Sequence, residues 1–574
     1  MKRIISVILA ITMILPLFNI NVSAENTILS RKYDRKTAAL TNLLMEDEKT
    51  LEKIEALEKA IVFISVSNGY EKAVTVYGTG KKLETAVERA LKKAKATGVE
   101  PRWYKLDVVT SIEEVLYTDF VAKYKDYKLE YAMRKGIAFN SYFGRALLES
   151  QINSSGMLSY ETGELNLDKI NKYFKENGKL TLSKIPETLY LFETQGYFSD
   201  SPSNSYKLTK ASLSKGGNRS YDMTPETLEE LAVNVSGYLS GICGEDGKFV
   251  YGYYPIDNEE IEGYNIIRHA GTTWNLILQY EMTGDKALLK PIERALEYLE
   301  GYIHYKDDST AFINDRGTLN VGGNGISLLA YVCYANATGS TKYNDLIRAL
   351  ANGIIYLQKN DGGFIHTLNK SDYSVYQEYV IVYYDGEAMY GLLKAYELLK
   401  DGRYLYAAER AGNYFIANNY EDLHSHWIAY SFNELTKYAP RERYFEFGLK
   451  NINSYLDTIN RTASAAHTTC ETVGATFELY DRLIKSGVEC KYLEEFNSQL
   501  LIEAFEKRVN YGINFFMPAE KAMYFENPQS VLNSFVVRED SFRIRIDDVQ
   551  HFMGGYYLYY KNYDLVKEYT EAEE

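Results

Sequence analysis

Cysteine and tryptophan are scarce in this chain of 574 residues, with four Cys and three Trp. Cys243, Cys333, Cys470 and Cys490 lie far apart and form no CxxC pair, which argues against a disulfide-stapled scaffold or a zinc ribbon. Positive charge is in deficit too. Lys and Arg number 64 against 78 Asp and Glu, a formal net charge of −14, so nucleic acid and anionic lipid are poor partners. An anionic polysaccharide stays open, because a local basic cleft can coexist with a negative total. Beyond residue 24 no run is apolar enough to read as a membrane span.

The one long apolar run is at the start. Lys2 and Arg3 precede apolar residues 4–18, and Val22, Ser23 and Ala24 offer a small-residue cleavage site before Glu25. This is the pattern of a signal peptide over 1–24, and no Cys follows it to carry a lipid. The expectation is an exported monomer, secreted or held in the periplasm or cell envelope. Abundance lies in tyrosine, with 53 copies. Its flat apolar face and polar tip suit stacking on sugar rings, and equally packing between helices.

Residues 25–200 mix the two periods of regular structure. AIVFISVS (60–67), AVTVYG (73–78) and RWYKLDVV (102–109) alternate as strands, and 83–96 has the spacing of an amphipathic helix. This region reads as an α+β or α/β domain. Residues 201–245 read as a polar linker followed by a connecting helix, which Thr224 caps and Pro225 opens.

From 246 to 574 the pattern is helical and repeated. Six breaks separate an all-round apolar helix from an amphipathic one: TGDKALL (283–289), TGSTKYN (338–344), KDGRYLY (400–406), YAPRERY (438–444), KSGVECKYL (485–493) and YKNYDLV (560–566). A lone helical hairpin cannot bury its apolar face, but stacked neighbours can. Six hairpins predict a closed all-α (α/α)6 toroid, the apolar helices inside and the amphipathic ones outside. The last pair is expected as 546–561 with 563–572.

The inner-helix starts are unusually polar. They read YNIIRHAGT (264–272), NVGGNG (320–325), YYDGEA (383–388), HSHW (424–427), HTTCE (467–471) and RIRIDDVQH (543–551). Five of the seven histidines fall in them. The hairpin number, the TGD-type breaks and these starts resemble the six-hairpin toroid superfamily of carbohydrate-active proteins, which includes glycoside hydrolases, polysaccharide lyases and sugar epimerases. The resemblance covers about 245–574 and implies a fold, a sugar substrate and no particular catalytic residue.

Glycosyl transfer to water needs two carboxyl groups, or one carboxyl group and a His, flanking the scissile bond. Asp385 or Glu387 is expected as the acid, since two residues apart on a helix only one can face the cavity. Asp547, three hairpins away, is expected as its partner. Tyr264, Arg268, His269, His426, Trp427, Glu471 and His551 are expected to bind substrate. Arg268 can clamp a carboxylate, and Trp427 and Tyr264 can stack on sugar rings. His467 and Cys470 lack further ligands at metal spacing, so neither metal nor cofactor is expected. The function expected is an exported glycoside hydrolase of a surface or extracellular polysaccharide. The alternatives are a lyase or epimerase of the same fold, and a non-catalytic polysaccharide-binding or envelope protein.

Overall fold

The computed structural model describes residues 34–126, 132–201, 203–209, 219–380 and 382–571. The expected signal peptide lies outside them, as do residues 210–218 of the expected linker.

The N-terminal part is built on seven strands: β1 (Ala60–Ser67), β2 (Val74–Gly80), β3 (Trp103–Leu116), β4 (Gly136–Ala138), β5 (Ala146–Leu147), β6 (Thr188–Ser201) and β7 (Asn204–Lys207). They form one sheet in the order β2-β1-β3-β6-β4-β5, with β7 on β6, and every pairing is antiparallel. This is α+β chemistry, because no parallel crossover unit is present among the described strands. Alternation sorts the side chains. Val62, Ile64 and Val66 pack with residues of helices Arg35–Met45 and Leu83–Lys95, while Ile61 and Phe63 belong to the core of the opposite face.

That opposite face is completed from far along the chain. Ala519, Met523 and Tyr524 pack with Phe63, Trp103, Phe192 and Phe198. The Tyr524 hydroxyl donates to Ser65 Oγ at 2.8 Å, and the Met523 carbonyl accepts from the Ala73 N–H at 2.8 Å.

The C-terminal part is a closed double ring of helices. The inner helices are Ile266–Thr283, Val321–Thr338, Tyr383–Leu399, His426–Tyr438, Thr468–Ser486 and Ile546–Glu571. Each packs on the inner helices before and after it, and the sixth packs on the first. The outer helices are Pro225–Gly241, Leu289–Glu300, Asn344–Leu357, Gly402–Ala417, Glu442–Asn453 and Ser498–Gly512.

The hairpin expected at 546–561 and 563–572 is instead one helix, Ile546–Glu571. Three of the true breaks turn on a left-handed glycine, Gly284, Gly339 and Gly487, at φ 64, 71 and 70°. YKNYDLV has neither Gly nor Pro, so nothing stops the helix. The twelfth helix comes from before the first break. Pro225–Gly241 packs on both the first and the last inner helix, and the Thr224 side chain caps it by accepting from the Thr227 N–H. The repeat therefore runs outer helix then inner helix, beginning at 225.

Glycine sets the closest helix approach. A Cβ on Gly391 of the third inner helix would lie 2.8 Å from Gly325 Cα of the second, a contact only glycine allows. Cavities of about 290 and 260 Å³ lie along the ring. The first is lined from the starts of all six inner helices, the second from their later turns, Leu278 to Lys561. The inner helices thus run parallel. Trp274, Tyr390, Trp427 and Tyr430 fill the space between, with ring centroids 5.3–6.5 Å apart. No helix among the described residues is long and apolar enough to cross a membrane.

Helix Pro225–Gly241 closes the ring, so a fragment beginning at residue 246 should lose cooperative folding, bind a hydrophobic dye and show a broadened thermal transition. In the full chain, Leu231→Ala, at a fully buried position, should cost about 2–5 kcal/mol in denaturant unfolding.

Candidate functional site

The 290 Å³ cavity is lined by Asn265, Ile267, Arg268 and Gly271 from the first inner-helix start, and by Ile326 from the second. Tyr383, Tyr384 and Glu387 come from the third, and His426 and Trp427 from the fourth. His467 and Thr468 come from the fifth, and Arg545, Asp547, Gln550 and His551 from the sixth. Among the described residues, none before Asn265 lines it. A small antiparallel pairing, Arg545 with Gly252 and Ile544 with Tyr253, ties the approach to the first inner helix to the start of the sixth. That pairing brings Arg545, Tyr251 and Arg268 together.

The buried carboxyl groups have separate fates. Asp385 does not line the cavity. Its Oδ2 lies 3.2 Å from His366 Nε2 and accepts from the Tyr420 hydroxyl at 3.3 Å. It is thus committed to the helix start, and the acid expected there is Glu387 alone. Asp547 does line the cavity, but Arg268 Nε lies 2.9 Å from Oδ2 and Arg545 grips both oxygens at 2.5 and 2.9 Å. Burial alone would raise its pKa, but Arg268 and then Arg545 outweigh burial and hold it below the ordinary carboxylate value. Asp547, expected as the partner of the acid, thus has both oxygens engaged by guanidinium groups, and a carboxylate so paired is a weak base. Asp548 beside it is bound by Arg543 at 3.0 and 3.1 Å. Burial and the neighbouring Asp547 nevertheless push it up to about 6.

Glu387 differs from all of these. It is 6% exposed, and its Oε2 has no hydrogen-bond partner. Burial pushes its pKa up to about 8, so it keeps its proton at neutral pH.

Opposite chemistry is offered by three imidazoles. His551 Nδ1 donates to Glu471 Oε2 at 2.6 Å, and the Tyr430 hydroxyl donates to Glu471 Oε1 at 3.0 Å. Burial disfavours the charged ring, but the Glu471 charge and its hydrogen bond outweigh burial and raise His551. Glu471 is itself raised by burial. With Nδ1 engaged, His551 has Nε2 left for the cavity. The His426 ring lies 5.0 Å from the His551 ring and the His467 ring 5.3 Å from it. Burial, then His551 and His467, hold His426 well below its ordinary value, and its Nε2 has no partner. Burial and His551 likewise lower His467 to about 3.

Two expected binding residues belong to the scaffold. His269 is fully buried, donates from Nε2 to the Ala295 carbonyl at 2.8 Å, and accepts at Nδ1 from the Tyr264 hydroxyl at 2.7 Å. That hydroxyl accepts in turn from the Phe249 N–H at 3.2 Å. Neither residue lines the cavity, because their polar atoms are used between the first hairpin and the segment before it. Arg268, His426, Trp427 and His551 do line it, and Glu471 lies behind His551. The sequence reading missed Arg545, Tyr383, Tyr430 and Gln550. The RIRIDD spacing was the signal for Arg545, while Tyr430 lies a turn inside an apolar helix and gave none.

For a metal, His426, Glu471 and His551 have ligand atoms within 4.8 Å of one another. The hydrogen bond between the last two already occupies two of the three, and it is shorter than the spacing of ligands around a tetrahedral zinc, about 3.3 Å. Cys470 is not in that group, and burial pushes its thiol up to about 12.

No protein-family model matches the chain, and no curated protein matches it. Among solved structures it is similar to a D-mannose isomerase, with 11% identity, 61% of this chain and 100% of that one covered, and a TM-score of 0.46. It is also similar to the cellobiose 2-epimerase from Bacillus thermoamylovorans B4167, with 9% identity, 58% and 99% covered, and a TM-score of 0.45. A third is an unsaturated glucuronyl hydrolase specific for heparin, with 12% identity, 59% and 99% covered, and a TM-score of 0.44. Likenesses this remote say nothing about the chemistry of the present cavity, which rests on its own side chains.

The raised Glu387 predicts a pH dependence of stability. The folded chain holds a proton there up to about pH 8, while the unfolded carboxyl releases it near 4.5. Stability should fall as pH rises between those values and level off above pH 8. Glu387→Gln should remove that part of the slope in chemical denaturation from pH 5 to 9. An identical slope in both proteins would place the proton elsewhere.

Proposed function

We propose that this chain is an enzyme that cleaves a glycosidic bond by general acid–base chemistry, with Glu387 as acid and His551 as base. One observation supports the reading above others. Glu387 is a buried cavity-wall carboxyl with an unpartnered oxygen and a proton held to about pH 8. A carboxyl serving only a helix start would be paired, as Asp385, Asp547 and Asp548 are.

In this reading Glu387 gives its proton to the leaving glycosidic oxygen. The Glu471 charge and hydrogen bond outweigh burial and raise His551 from its ordinary value, which makes its neutral ring a stronger base. It takes a proton from the water that attacks the anomeric carbon. The paired Asp547 remains ionised beside the reacting centre, where it offsets part of the positive charge of Arg268 and Arg545. Tyr383 and Trp427 offer ring faces to the substrate.

A second reading, sugar epimerisation or isomerisation, is favoured by one feature. The unpartnered, neutral His426 lies 5.0 Å, ring to ring, from the more basic His551. Such a pair can remove a proton from a carbon beside a carbonyl and return it.

Incubation with a panel of oligosaccharides in deuterated water separates the two. Hydrolysis releases new reducing ends, and Glu387→Gln and His551→Ala should each lower the rate by about 10²–10⁴-fold. Deuterium entering a sugar carbon without chain cleavage, in a Glu387→Gln protein of normal rate, would give the second reading. Neither product would leave a binding protein.

Export is part of the same proposal and rests on the pattern of residues 1–24. The protein recovered from culture fluid or envelope should begin at Glu25 by N-terminal sequencing. Intact Met1 in the recovered protein would count against it.

A further inference from the structure

We propose that the strand and loop over 375–380, with Tyr383 at the start of the third inner helix, form a track that carries a glycan chain from the surface into the cavity. Tyr376, Tyr379 and Tyr383 are its stacking faces. The inference rests on the sugar-active reading above and narrows its substrate to a chain of several sugars.

Val375–Gln377 is the edge strand of a five-stranded antiparallel sheet, and it leads into the third inner helix, Tyr383–Leu399. Along this stretch the apolar rings face outward. Tyr376 is 56% exposed, Tyr379 59% and Tyr383 46%. Tyr383 also lines the cavity, its ring 6.0 Å from that of His426. Three exposed rings thus fall within eight residues of chain, and the last of them stands in the candidate active site, which favours a glycan already bound there over a separate protein partner. A tyrosine face with a polar rim matches the apolar face and hydroxyl rim of a pyranose.

The most exposed ring is also held in place. Tyr379 packs on the His366 imidazole, centroids 4.9 Å apart. His366 is buried, with Nδ1 accepting from the Val380 N–H at 2.9 Å and Nε2 3.2 Å from Asp385 Oδ2. Asp385 and His366 are thus positioning residues, which fix the loop that carries Tyr379 before any ligand arrives. Preorganised rings lose little entropy on binding.

Native affinity electrophoresis of the full chain, in gels containing soluble mannan, β-glucan or polygalacturonate, tests this. Glu387→Gln protein keeps the probe intact. Retardation is expected in at least one gel, and Tyr376→Ala/Tyr379→Ala should weaken it about tenfold or more. Tyr379→Phe, which keeps the ring face, should retain it. Asp385→Ala should weaken it, while Asp385→Asn, whose amide oxygen remains beside His366, should retain it. Circular dichroism checks that each variant is folded. Equal retardation of the parent and the double tyrosine variant, or none in all three gels, would overturn the track. Normal turnover by Glu387→Gln would instead strike the acid assignment and leave the retardation result standing, so the two failures are distinguishable.

Discussion

Six parallel helices that open on one cavity set the terms for everything around it. Each helix start carries roughly half a positive charge, and here all six are gathered where little water reaches. The first turns accordingly hold Asp385, Glu471, Asp547 and Asp548, and Glu387 follows one residue beyond. Buried carboxylates need partners of their own. Arg268, Arg545 and Arg543 supply them for the sixth helix, and His366 and His551 for the third and fifth. The polar lattice at the mouth follows from the ring's closure rather than being added to it.

Pairing then sorts acids that share one environment. Asp547 between two guanidinium groups stays charged, and Asp385 is tied to His366 and Tyr420. Glu471 shares a proton-bearing contact with His551. Among these acids of the helix starts only Glu387 has a buried oxygen without a partner, so burial decides its state and keeps it neutral. A protonated carboxyl and a carboxylate-backed imidazole consequently line the same 290 Å³ space. The aromatic layer of Trp274, Tyr390, Trp427 and Tyr430 closes its floor, and Tyr430 also fixes Glu471. A packing residue thereby sets the orientation of the dyad.

The sheet and the ring are joined through the segment between the last outer and last inner helices. It gives Met523 and Tyr524 to the sheet core. It then returns through Arg543, which binds Asp548, and Arg545, which binds Asp547. The described residues of the N-terminal part add no side chain to the cavity, yet they anchor the segment that supplies Arg545 to it and Arg543 to Asp548.

Much of this was legible in the chain. The alternation at 60–67, the left-handed glycines of the TGD-type breaks and the contrast of apolar and amphipathic helices are local signals, and the elements formed where those signals stand. The polar starts were equally legible, because five of the seven histidines stand in them beside acids such as Asp547. The closing partner of the ring was not legible. Helix 225–241 and helix 546–571 meet only after ten others are stacked between them, and no local period encodes that contact. The choice among acids was hidden for the same reason. Sequence supplied the carboxyl groups, but whether each stays charged depends on which Arg or His the fold sets within about 3 Å and on how much water it removes. Only the tertiary structure decided that Asp385 and Asp547 are paired and Glu387 is left alone.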